Sequence, residues 1–339
     1  MYLKTHPLVL LRARRPLLVA TENLARDTSL TIVGRNMLVV DHVRRSFGSV
    51  QAVRDVSLTC RRGSVHGLLG PNGAGKTTTM RMILGIYPPD AGTIGWMGGA
   101  IDRKLRRRFG YLPEERGLYG KMRVFDQMVY FGRLHGLHES DARKRAERWI
   151  ETLGLGQYAR RSCSELSKGN QQKVQMACAV LHEPELLVLD EPFAGLDPVN
   201  AVVMLECIRA IAEDGAAVLL SSHQMWQIEH ACSAFTIIGA GEVRAQGTLD
   251  ELRRAFPKRK VRVVPDLPAI RAAFARYGAP PPLADGVVLA YELPTTTDFG
   301  ALLREAVAAG PVESFQREEP SLNEIYVDLL KCAAVDAAA

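Results

Sequence analysis

The stretch Val65-His-Gly-Leu-Leu69-Gly70-Pro71-Asn72-Gly73-Ala74-Gly75-Lys76-Thr77-Thr78 decides the reading of this chain. An apolar strand, Val65–Leu69, runs into G-x-x-x-x-G-K-T and then into a helix over Thr78 to Leu84. Strand, glycine-rich loop and helix form the context in which such a loop binds phosphate groups. Its glycines let successive backbone N–H groups wrap an anion, and the helix N-terminus favours negative charge. In this frame Lys76 reaches the β and γ oxygens and Thr77 offers a hydroxyl to Mg²⁺, while Gly70, Pro71, Asn72, Gly73, Ala74, Gly75 and Thr78 line the cradle. A chance match somewhere in a chain of this length is about a one in a hundred event.

A second apolar run, Leu186-Leu-Val-Leu-Asp190-Glu191-Pro192, ends in two carboxylates. In open parallel sheets, ligands sit beyond the carboxyl ends of strands, so Asp190 is placed to hold Mg²⁺. Glu191 is then the group to orient the attacking water and accept its proton. Alone, such a pair reads as a solvated strand end; beside a phosphate loop it reads as a site.

Just upstream, Leu166-Ser167-Lys168-Gly169-Asn170-Gln171-Gln172 resembles the L-S-G-G-Q signature of ABC transporter ATPase subunits, with Lys168 for a glycine and Asn170 for a glutamine. The resemblance continues in order. Ala194-Gly195-Leu196-Asp197 is similar to the D-loop, Ser221-Ser222-His223 to the histidine switch, and Phe47 to the aromatic on which adenine stacks. Tyr111-Leu-Pro-Glu114-Glu115-Arg116-Gly-Leu-Tyr119 resembles the Q-loop, with Glu114 where glutamine is usual, in the form found in ABC-2 exporters including the sodium-extrusion type. Pro320-Ser-Leu-Asn-Glu-Ile-Tyr-Val-Asp resembles the closing helix of the C-terminal domain attached to that subgroup. The likeness covers residues 37 to about 331 and implies an ATPase using ATP and Mg²⁺. It further implies a homodimer in which Ser167 and Gly169 of one copy address the ATP held by the other. A separate integral membrane permease is the implied partner, with the chain peripheral on the cytoplasmic face of the plasma membrane. His223 is the implied γ-phosphate contact. Cargo stays open among sodium, drug-like compounds, lipids and polysaccharides.

Two rival classes remain. A soluble ABC ATPase of translation or repair would usually carry two ATPase domains in one chain, or a long coiled coil between phosphate loop and signature. A P-loop kinase would lack the signature and the histidine switch.

With 339 residues, 47% of them hydrophobic and 24% charged, the chain is globular and longer than one typical domain. The fold expected is an α/β P-loop core, its mostly parallel sheet joined by an antiparallel part and a helical subdomain, followed by a small C-terminal α+β domain. The boundaries expected are a basic extension over 1–36, a nucleotide-binding domain over 37–255 with the helical subdomain near 115–181, an accessory domain over 256–332 and an Ala-rich tail over 333–339. Pro257-Lys-Arg-Lys reads as the link, and Val261–Val264, Val287–Tyr291 and Val312–Phe315 as strands beyond it. Met37 precedes the first strand and is a candidate start, which would leave 1–36 untranslated.

The formal charge of +6 is concentrated in the first 36 residues, where six Lys and Arg face two acids. Basicity carried by a leader and not by a folded patch gives no support to a nucleic-acid partner. The six cysteines show no C-x-x-C pair and read as reduced thiols. No stretch approaches the roughly 20 apolar residues needed to cross a bilayer.

Overall fold

The computed structural model describes residues 37–336 except 116, 223–224, 257, 266, 278–282, 286–287 and 295. The expected extension over 1–36, His223, expected as the switch residue, and the last three residues of the tail therefore lie outside the described residues.

Two compact units divide the chain, the first ending at Gln246 and the second beginning at Gly247. The first runs through β1 (Met37–Phe47), β2 (Val50–Arg61), β3 (Ser64–Leu69), α1 (Lys76–Ile83), β4 (Ala91–Trp96), β5 (Gly99–Ala100), α2 (Arg103–Arg106) and β6 (Phe109–Leu112). There follow α3 (Val124–Leu134), α4 (Glu139–Thr152), α5 (Lys168–Val180), β7 (Leu186–Asp190), α6 (Pro198–Glu213), β8 (Ala217–Ser221), α7 (Met225–Ala231), β9 (Ala234–Gly239) and β10 (Glu242–Gly247). Ten strands make one sheet in the order β5-β4-β1-β2-β10-β9-β3-β8-β7-β6.

The sheet is mixed, with a parallel part whose strands β7 and β8 are covered on both faces and an antiparallel part at the other end. From β9 to β6 the neighbours β9/β3, β3/β8, β8/β7 and β7/β6 are parallel, and every residue of β7 and β8 is buried. Strands covered on both faces read as continuous apolar runs, which is why Leu186–Asp190 and Ala217–Ser221 stand out in the sequence. Alternate side chains of β7 enter different cores. Leu187 and Leu189 join the cluster containing Val124, Met128, Val174 and Ile208, while Leu186 and Val188 join the one containing Met80, Met82 and Ile83. At the other end β1 pairs antiparallel with β2 and β4.

Between β6 and β7 the chain forms the helical insert. On α4 the buried residues Ala142, Ala146, Trp149 and Ile150 recur at helical spacing and form its inner face. Among the described residues no helix is long and apolar enough to cross a membrane.

The second unit runs α8 (Leu249–Ala255), β11 (Lys258–Val264), α9 (Pro268–Arg276), β12 (Leu283–Asp285), β13 (Val288–Pro294), α10 (Phe299–Ala309), β14 (Ser314–Glu318) and α11 (Leu322–Asp336). Its sheet has the order β12-β13-β11-β14 with antiparallel neighbours throughout. From β11 to β14 this is a β-α-β-β-α-β arrangement of the split-βαβ kind. Val261, Val263, Phe274, Tyr291 and Leu302 fill its core.

Several expected boundaries move. The division falls at Gln246/Gly247 and not at 255/256, because α8 packs with α11 of the second unit. Lys258, Arg259 and Lys260, expected in a link, are strand residues paired with Pro294, Leu293 and Glu292. Pairing with β11 also places β14 over Ser314–Glu318, two residues later than its apolar signal began. The tail expected from 333 is helical through Asp336. Finally, α1 starts at Lys76 and not Thr78, since left-handed Gly75 at φ 100° ends the loop.

Gly110 of β6 lies so close to α5 that an added Cβ would stand 2.3 Å from the carbonyl oxygen of Ala179. Gly110→Ala is expected to cost about 1–3 kcal/mol, read as a lowered Tm, whereas Gly156→Ala, with nothing within 4 Å of its Cβ position, should stay within ~0.5 kcal/mol of wild type.

Burial also holds two histidines neutral. His66, whose Nε2 pairs with Thr236 Oγ1 at 2.8 Å, is pushed down to about 4, and His182, stacked on His135, to about 3. Their native pKa values lie below the unfolded one, so the unfolded chain takes up protons first as pH falls. Stability is then full above about pH 6.5 and falls from there toward pH 4. Thermal melts across that window should show the decline, with a shallower slope in His66→Gln.

Candidate functional site

Adjacent strands β3, β8, β7 and β6 run parallel, so their carboxyl ends lie along one rim, and each delivers a candidate segment there. The phosphate loop follows β3, Ser221 ends β8, Asp190 ends β7, and Glu114 stands two residues beyond β6.

Backbone demands explain the loop's glycines. Gly75 has φ +100° and an added Cβ would lie 2.6 Å from the carbonyl oxygen of Ala52, while at Gly70 it would lie 2.5 Å from that of Ile238. No side chain fits at either place. Ala74 N donates to Pro71 O at 3.1 Å, and Lys76 Nζ donates to Gly70 O at 2.7 Å and Pro71 O at 3.1 Å. Gly73 adopts φ +79°, and Asn72 and Gly73 are exposed. Thr77 and Thr78, half-buried, lie in the first turn of α1. Burial pushes the Lys76 ammonium down, and the carboxylates of Glu191, Asp190 and Glu114 pull it back up. These four ionisable groups thus share one electrostatic neighbourhood.

Asp190 and Glu191 are organised by a residue absent from the expected set. Ser221 Oγ donates to Asp190 Oδ1 at 2.6 Å and accepts from Glu191 N at 3.1 Å. Its carbonyl accepts from Glu191 N as well, at 3.2 Å. Asp190 is 1% exposed, and among the described residues its Oδ2 is buried without a hydrogen-bond partner. Glu191 takes φ +51°, a conformation costly for a residue with a Cβ and typical of sites that aim a side chain.

Two further glutamines escaped the sequence reading. Gln172 Nε2 donates to Pro192 O at 3.0 Å and to Glu191 O at 3.5 Å, and Gln175 Nε2 donates to Pro113 O at 3.0 Å and Glu115 O at 3.2 Å. Their signal was the run Gln171-Gln172-Lys-Val-Gln175, which carries no chemistry until the partners are in place.

The residues that resemble the signature gather beside those that resemble the D-loop. Ser167 caps α5, accepting from Asn170 N at 3.3 Å. A Cβ placed on Gly169 would lie 3.5 Å from Leu196, and one on Gly195 would lie 3.6 Å from the Cβ of Lys168. Signature and D-loop therefore form one edge. Asp197 caps α6, and the N–H of Asn200, 2.9 Å away, holds its carboxyl below the usual range. At the end of β1, Phe47 is 42% exposed, with Tyr87 edge-on at 5.3 Å and the Arg45 guanidinium 5.0 Å from its ring centre.

Removing the Ser221 hydroxyl leaves a buried carboxylate oxygen without its donor, so Ser221→Ala should lower stability by about 1.5–3 kcal/mol in urea melts. Ser221→Thr, which retains the hydroxyl, should recover most of that loss.

Comparison with known proteins gives the same picture. The family profile described as ABC transporter matches residues 53–194, and that of the ATP-binding protein DrrA1-3-like, C-terminal domain, matches 247–330. The Bacillus subtilis uncharacterized ABC transporter ATP-binding protein YhaQ is 41% identical over 295 residues, spanning 86% of this chain and 98% of the relative. Linearmycin resistance ATP-binding protein LnrL, also from Bacillus subtilis, is 35% identical and covers 64% of this chain and 70% of its own length. A solved structure of the ATP binding subunit of an ABC transporter superposes with a TM-score of 0.60 at 34% identity, over 64% of this chain and 92% of that one. Being 41% identical to YhaQ over nearly all of that relative, and matching the ABC transporter profile across β3, β6 and β7 of this rim, the chain belongs to the ATP-binding proteins of ABC transporters, ATPases that power transport.

Proposed function

We propose that two copies of this chain sandwich two ATP molecules and drive export of a small organic compound through a separate membrane permease. The observation that carries this reading is the shared rim of Lys76, Asp190, Glu191 and Glu114, together with an exposed Ser167 at the capped end of α5. An exposed capping serine at a helix N-terminus, where anions are favoured, suits a site completed by nucleotide from a second copy.

Each residue has a role that its surroundings support. Backbone N–H groups over Gly70–Gly75 and the N-terminus of α1 receive the phosphates, and Lys76 exchanges its loop carbonyls for phosphate oxygens. Thr77 and Asp190 would hold Mg²⁺, with Glu114 reaching it through water. The donor set fits: a buried carboxylate oxygen without a partner among the described residues, a hydroxyl and a second carboxylate are the hard oxygen ligands this ion takes. Bound there, Mg²⁺ supplies charge neutralisation of the phosphates. Glu191 orients a water toward the γ-phosphorus and takes its proton as the bond to the ADP oxygen breaks. Ser167, Lys168, Gly169 and Asn170 of one copy, with Asp197 at the same edge, face the ATP of the other. Phe47 stacks on adenine, and His223, outside the described residues, contacts the γ-phosphate.

The partner permease and a place on the cytoplasmic face of the plasma membrane rest on family membership. Likeness to a linearmycin-resistance protein supports a drug-like cargo.

Glu191→Gln should bind ATP within a few-fold of wild type while turnover falls by about 10²-fold or more; unchanged ATPase activity would remove Glu191 from the role. Pull-down of the tagged chain from native membranes with ATP should recover a multi-helix membrane protein. Ribosomal proteins or nucleic-acid enzymes in its place would favour the soluble reading.

A further inference from the structure

The amides of Gln172 and Gln175 lie on one face of α5, three residues apart, and both are buried. Each spends its donors on backbone carbonyls of a different carboxylate loop. Gln175 Nε2 binds the carbonyls on either side of Glu114, those of Pro113 and Glu115, and so grips the loop across the candidate residue itself. Gln172 Nε2 binds the carbonyls of Pro192 and Glu191. Among the described residues Gln175 Oε1 is buried without a partner, so what holds this polar side chain in the interior is its two donated bonds. A buried amide with an unused oxygen costs stability that a hydrophobic residue would not.

We infer that Gln172 and Gln175 are positioning residues through which α5, the helix capped by Ser167, sets the loops of Glu191 and Glu114 in its own copy. The inference rests on the two-copy reading above, and it adds a direction of communication. The N-terminus of α5 addresses nucleotide in the other copy, while its buried face holds the carboxylate loops of this one. A helix hydrogen-bonded along its length moves as a unit, so a shift at its capped end reaches both loops together. The two ATP sites are then coupled by a rigid element with a ligand-facing end and a loop-holding face, which is the kind of contiguous part that coupling requires.

The test uses the purified full-length chain. Gln175→Met keeps the length of the side chain and removes the donors. Gln175→Lys keeps a donor able to reach backbone carbonyls, as Lys173 Nζ does to Leu153 O in the same helix. Three quantities are read: kcat and KM for ATP, the Mg²⁺ concentration for half-maximal activity, and hydrogen exchange of the segment 111–118 with and without ATP in the Glu191→Gln background. For Gln175→Met we expect kcat to fall about tenfold or more, KM to stay within about threefold, the Mg²⁺ requirement to rise, and ATP-induced protection of 111–118 to vanish while protection of the phosphate loop persists. Gln175→Lys should restore most of kcat and the protection. Wild-type kcat, Mg²⁺ dependence and protection in Gln175→Met would overturn the inference, as would a Lys variant as impaired as the Met variant. If Gln175→Met does not fold, the Lys variant and the parallel Gln172→Met decide on the same readouts. Absence of ATP-driven self-association in Glu191→Gln alone would instead sink the two-copy reading.

Discussion

Everything at the candidate site depends on the parallel pairing of β3, β8, β7 and β6. The register Leu186↔Ala217 through Asp190↔Ser221 brings the tips of β7 and β8 level, and Leu68↔Ser221 brings β3 beside them. Parallel strands cannot be joined by tight turns, so each returns through helices and its carboxyl end is left clear on one edge. The continuous burial of β7 and β8 fixes that register, because a one-residue slip would send Leu187 and Leu189 to the opposite core.

Against this rigid edge the site spends backbone strain and buried polarity. Glu191 in the left-handed region and Asp190 Oδ2, without a partner among the described residues, are each unfavourable alone. They persist because Ser221, Gln172 and the strand ladder over-determine the positions. Their clustering at one edge is what a phosphate-binding and hydrolysing centre requires, where donors and carboxylates must be fixed before charge develops.

The second unit follows a different logic. Its split-βαβ core is closed by its own Phe274 and Tyr291, and α11 lies alongside through the ion pairs of Lys258 with Asp328 and Lys260 with Glu324. Those lysines explain why residues 258–260 read as a link in the sequence and yet form a strand. Lys258 and Lys260 alternate with Arg259 and Val261, a strand pattern whose outer face is charged because α11 supplies the opposite charges. Read alone, Pro-Lys-Arg-Lys looks like a solvated link.

The parallel core is legible in the residues alone, and the candidate phosphate loop and carboxylate pair stand out there too, because each is dictated locally: buried strands need unbroken apolar runs, and close backbone approach needs glycine. The signature, the D-loop and the departures at Lys168, Asn170 and Glu114 were legible as a linear pattern. Tertiary structure alone decided that Ser221 serves both Asp190 and Glu191, that Gln172 and Gln175 hold two loops from one helix, and that signature and D-loop share an edge. These depend on pairing between segments tens of residues apart, where an amide or hydroxyl acquires meaning only from the carbonyl or carboxylate that folding sets opposite it.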